Sequence, residues 1–127
     1  MLQAINTTNI ALVANQLVPL TQELRKGCNA TLNSNTISLN DRGIYMVTVN
    51  ADFTATAAGD VTLQLFNNGT AISGAKSTVT ATDGGTVTQS FTKLIQVNCP
   101  VATTNLTLTE SVAGTLINAS VVVTKIC

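Results

Sequence analysis

Between Ile44 and Thr56 the chain alternates with a period of two. Tyr45, Val47, Val49, Ala51, Phe53 and Ala55 share one face, and Ile44, Met46, Thr48, Asn50, Asp52 and Thr54 share the other. Successive side chains of a strand point to opposite sides, so the odd set is the core face of a long strand. The even face begins apolar and becomes polar. No stretch of the chain sustains a 3.6-residue period, and no heptads occur. Short alternating runs separated by turn residues predict an all-β, two-sheet antiparallel sandwich.

The remaining elements follow the same pattern. Ile10 to Leu20 is an apolar run, and Gln22 to Asn35 reads as a polar loop. Thr36–Leu39 is a short strand, closed by the turn Asn40-Asp41-Arg42-Gly43. Val61 to Phe66 alternates and meets Asn67-Asn68-Gly69-Thr70, a tight hairpin signal. Ala71-Ile72 resumes that hairpin, Ser77 to Ala81 is a weak strand, and Thr82-Asp83-Gly84-Gly85 is another turn. Thr86 to Asn98 is a second long strand, stopped by Pro100, which cannot continue a ladder. Asn105 to Glu110 alternates, and Leu116 to Ile126 closes the chain. Val121-Val122-Val123 is apolar on both faces, and burial on both sides explains such a run. The outer face of a two-layer sandwich is normally wet, so something is expected to cover it.

The 127 residues fit one domain, with residues 10–127 as the sandwich and residues 1–9 as an N-terminal docking segment. Charged residues are only 9% against a usual share of about 25%. Formal net charge is zero, and Arg25-Lys26 is the largest basic cluster. Nucleic acid requires a basic footprint, so it is not an expected partner, and neither is an anionic membrane surface. No apolar run reaches the length of a transmembrane helix. The opening MLQAINTTNIALVANQLVPL lacks a basic n-region, so no signal peptide is expected and synthesis is placed in the cytoplasm.

The chain has no histidine, which removes the commonest general base and the Ser-His and Cys-His nucleophile pairs. Asp41, Asp60 and Asp83 sit beside turn residues and read as turn formers. A glycosidase pair of Asp52 with Glu110 is not expected. No DxDxDG loop and no Cys/His spacing occurs, so neither a metal nor a cofactor is expected. Asn6, Asn29, Asn68, Asn105 and Asn118 open glycosylation triplets, but a chain this rich in Asn and Thr forms them by chance. Three cysteines, Cys28, Cys99 and Cys127, leave at least one thiol unpaired within the chain.

Gly43-Ile44-Tyr45-Met46-Val47 opens a long strand, and Leu63-Gln64-Leu65-Phe66-Asn67-Asn68-Gly69-Thr70 follows. With the strands Thr86–Asn98 and Leu116–Ile126 after them, the order resembles the jelly-roll domain of tumour necrosis factor and of the globular heads of complement and collagen-like proteins. The sequence is also similar to prophage-encoded virion proteins of the head-fibre or decoration type and to spore-surface tips. The first resemblance implies a homotrimer in which one sheet of each copy packs its outer face around a threefold axis. The first strand, Ile44–Thr56, Thr86–Asn98 and Leu116–Ile126 would form that sheet. Ile44, Met46, Thr48, Asp52 and Val122 would line the interface, Asp52 in a polar layer. In that topology Cys99 and Cys127 fall at one end, which implies a disulfide within or between copies. The chain departs from the family in having 3% aromatics and no Gly-X-Y stalk.

These features favour a non-enzymatic structural or surface protein, with itself and a capsid or surface lattice as partners and a virion or a cell or spore surface as its place. The alternative is a module that binds a glycan or receptor through loops 57–60, 76–85 and 99–105.

Overall fold

In the computed structural model, which describes residues 1–26, 30–97 and 104–126, the alternating runs become strands of two antiparallel sheets. In chain order the strands are β1 (Leu2–Asn6), β2 (Ile10–Leu12), β3 (Thr21–Arg25), β4 (Ala30–Asn33), β5 (Thr36–Leu39) and β6 (Gly43–Ala55). Then come β7 (Gly59–Asn67), β8 (Thr70–Ala81), β9 (Thr86–Val97), β10 (Thr104–Glu110) and β11 (Gly114–Lys125). One sheet runs β3-β1-β11-β6-β9, with β2 also paired to β11, and the other runs β4-β5-β10-β7-β8.

The core lies between the sheets. Tyr45, Val47, Val49, Ala51, Phe53 and Ala55 of β6 all face it, as the alternation predicts. Val121 and Val123 of β11 join them from the next strand, and Val61, Leu63 and Leu65 of β7 and Leu106 and Leu108 of β10 face them from the other sheet. Tyr45 brings a hydroxyl into this region, which needs a partner. It donates to the Asp41 carbonyl at 2.7 Å and accepts from the Asp41 amide at 3.3 Å, tying the turn before β6 to the core.

Four parts of the chain differ from the sequence reading. The expected loop 22–35 holds two strands. β3 is exposed at every position, so it has no apolar alternation to reveal it. β4 and β5 form a hairpin through Ser34 and Asn35, whose φ values are 49° and 64°. The run from Ile10 to Leu20 is a strand only as far as Leu12. Residues 13–18 then cross to the other sheet as a strap along β10, with the Asn15 amide on the Glu110 carbonyl at 2.9 Å and the Val18 amide on the Leu108 carbonyl at 2.8 Å. Residues 71–81 belong to one strand, β8, irregular around Gly74 (φ 77°), so the expected loop 76–85 is a loop only from Thr82.

The fourth difference is at the N-terminus. The sheet starts at residue 2, well before the expected boundary at residue 10. β1 lies between β11 and β3, pairing Leu2 with Val123 and Ala4 with Val121, and both Leu2 and Ala4 are fully buried. Removing residues 1–9 therefore strips an internal strand and uncovers Val121 and Val123. The expected result is an aggregating or unfolded chain, read by circular dichroism and by the loss of a cooperative melt.

Candidate functional site

The outer face of the first sheet carries the feature that distinguishes this molecule. β6 is its second-to-last strand, and the register fixes what lies beside it. Met46 is flanked by Leu94 of β9 and Thr124 of β11, Thr48 by Thr92 and Val122, and Asp52 by Thr88 and Asn118. Cross-strand partners share a face, so the sequence-predicted residues Ile44, Met46, Thr48, Asp52 and Val122 all lie on this one surface. Ile44, Thr48, Asp52 and Val122 are half-buried, and Met46 is exposed.

The face has two halves. Toward the 57–60 end it is polar and internally bonded. Thr54 and Thr86 share a hydrogen bond of 2.8 Å, Thr88 donates to Asp52 at 2.8 Å, and Thr48 meets Thr92 at 3.5 Å. Toward the other end it is apolar. Ile126 continues the outward parity of β11, its amide donating to the Ile44 carbonyl at 2.8 Å. Leu24 of β3 stands beside Gln3, and Met1 precedes the inward Leu2.

Seven large apolar side chains are exposed among the described residues, and Met1, Leu24, Met46, Leu94 and Ile126 are five of them. Scattered exposed apolar residues are ordinary, but exposure gathered at one end of one sheet is the mark of a contact surface. Leu94 is 55% exposed and Ile126 51% exposed. The sequence reading missed Leu94, Ile126, Leu24 and Met1. Leu94 was within reach, because Val87, Phe91, Ile95 and Val97 share one parity on β9 and leave it on the other.

Other candidates come apart. Asp52 is on this outer face, whereas Glu110 points into the core from the opposite sheet, so they form no carboxylate pair. An open concavity of about 320 Å³ lies over β7 and β8, lined by Gln64, Ala71, Ile72, Ser73, Gly74 and Lys76. Its one amide is occupied: Gln64 Nε2 donates to the carbonyls of Leu65, Ile72 and Ala75 at 2.8, 3.0 and 3.2 Å. That arrangement fills the bulge in the β7–β8 pairing. The expected Cys99–Cys127 bridge, like Cys28, lies outside the described residues.

Comparison with solved structures decides what this sandwich is. The globular domain of the zebrafish complement 1qA protein superposes with a TM-score of 0.77 at 9% identity, over 99% of this chain and 96% of that one. The fold is a tumour-necrosis-factor-like jelly roll. Murine APRIL superposes on the same jelly roll with a TM-score of 0.67 at 12% identity, over 98% of this chain and 97% of that one. PRD1 vertex protein P5 does so with a TM-score of 0.68 at 17% identity, over 99% of this chain and 72% of that one. No protein-family model matches the sequence, and no curated protein does. The jelly roll places β2, β11, β6 and β9 in one sheet, as the resemblance implied.

Proposed function

We propose that this jelly roll is a non-enzymatic, homotrimeric structural module of a particle surface, such as a phage head-fibre, decoration or tip protein. The observation that carries the reading is the apolar end of the β1-β11-β6-β9 face, with Met46 and Leu94 side by side and exposed. A second and third copy of the same face are its occupants, closing around a threefold axis as the resemblance implies. Ile44, Met46, Thr48 and Val122 line that contact, with Asp52 in its polar half. Each large apolar side chain that becomes fully buried contributes roughly 1.5–3 kcal/mol. A chain with only 9% charged residues has little repulsion to oppose association.

The likeness to PRD1 vertex protein P5 supports a place on a virion, and the paired Thr and Asp side chains of the polar half suit a packed protein contact. Particle-bound chain is the expected result when purified virions encoding it are labelled with antibody and viewed by electron microscopy. Label should appear at fixed positions on the particle surface. Unlabelled particles alongside free chain in the lysate would remove the virion assignment.

A further inference from the structure

Glu110 ends β10 on its inward face and is completely buried, as is Gln89 on the inward face of β9. Gln89 Nε2 has two protons, and both are taken up: it donates to the Val61 carbonyl at 3.0 Å and to the Ser77 carbonyl at 3.1 Å. Turning the amide over would set its oxygen against two carbonyl oxygens, so its orientation is fixed. That leaves Gln89 Oε1 and both Glu110 oxygens as three buried acceptors with no donor. Buried acceptors are rarely left so, and an unpaired buried carboxylate is costly.

We infer that Glu110 is a neutral carboxylic acid that donates its proton to Gln89 Oε1, and that its ionisation loosens the strap of residues 13–18 from β10. One added proton converts a carboxylate beside an acceptor into a donor–acceptor pair. Burial pushes the carboxyl up to about 7. No charge compensates it among the described residues. On the elements around it, Asp60 of β7 is held outward by Thr80 at 3.0 Å, and Lys76 of β8 is exposed. Asp52 of β6 is on the far face, and Lys93 of β9, though inward, lies beside Gly74. The strap is the weak cover. Its residues 13–17 are exposed, and it is bound to β10 at the Glu110 and Leu108 carbonyls, so its release gives an ionised Glu110 access to water.

The sign follows from the raised proton affinity. The folded form holds the proton more tightly than the unfolded one, so the stabilisation is complete below the ordinary value of 4.5 and is lost as pH rises through about 7. The melting temperature should fall by roughly 10 °C between about pH 5 and about pH 7.5 and then level off. Amide exchange at Asn15 and Val18, corrected for intrinsic rate, should accelerate by about tenfold per pH unit over that range. Glu110→Gln keeps a donor for Gln89 without a titrating proton and should abolish both trends. If that variant does not fold, carbon-13 titration of the Glu110 carboxyl in the unaltered protein decides the matter, with a midpoint near 7 expected. A midpoint near 4.5, a flat melting profile, or stability that rises with pH and falls on adding a chelator would overturn the proposal.

Discussion

Met46→Asp and Leu94→Asp, introduced together, will leave a folded monomer in place of the proposed trimer. The two side chains are register partners on the outer face and are already exposed in a single copy, so their loss removes little from the fold itself. Exposed substitutions of this kind usually change stability by about 0.5 kcal/mol or less. In the assembled state they act very differently. Two carboxylates per copy would be carried into a contact shared by all copies, and Thr124, the other register partner of Met46, brings no positive charge to meet them. Desolvating an unpaired charge costs several kcal/mol, enough to exceed the gain from the apolar contact. Sedimentation velocity should therefore give a monomer at concentrations where the unaltered chain is expected to be a trimer, with an unchanged far-ultraviolet circular dichroism spectrum. Val13→Asp with Leu17→Asp is the matched control. Those residues are the other two exposed large apolar side chains among the described residues, on the strap and away from the face, and their replacement should leave the proposed trimer intact.

The second large effect lies inside the fold. Gly114 opens β11, opposite Ala55, where the strand passes close to its neighbour. A β-carbon there would collide with the Thr54 carbonyl oxygen and would come within 2.5 and 2.8 Å of the Phe53 ring. Neither can yield easily, because Phe53 is fully buried and Thr54 is held in the ladder between β6 and its neighbours. Gly114→Ala should cost about 3 kcal/mol, or roughly 10 °C in melting temperature. Gly84→Ala provides the comparison. It has open space around the missing side chain but a φ of 70°, so only backbone strain acts and the loss should be about 1 kcal/mol. Equal losses at the two positions would mean that close packing of β11 on β6 is not what excludes a side chain at Gly114.

Where burial follows local alternation, the sequence is readable. β6, β5, β7 and the Asn68-Gly69 hairpin appear where the residues suggest, because each has one wet face and one dry face or a turn that needs positive φ. β3 was hidden because an edge strand exposed at all five positions has no pattern to report. β11 contains a subtler obstacle. Counting back by twos from Val123 and Val121 puts Ile117 inside and Leu116 outside, yet Leu116 is fully buried. A bulge between Leu116 and Asn118 shifts the register by one and restores the inward direction.

The candidate surface was half legible. Ile44, Met46 and Val122 betray themselves by being apolar opposite a core face, and parity on β9 marks Leu94 in the same way, but Leu24 and Met1 reach the same surface only through pairings between distant parts of the chain. The Glu110–Gln89 contact is likewise a product of the two sheets closing: parity with Leu106 and Leu108, and with Val87 and Phe91, turns each residue inward, but nothing local pairs them.

Light scattering on a size-exclusion column, run across a hundredfold range of loading concentration, bears on the central claim most directly. The jelly roll joined through its outer β11-β6-β9 face should elute with three times the 13.1 kDa mass of one chain. A mass that stays at 13.1 kDa even at the highest loading would contradict it.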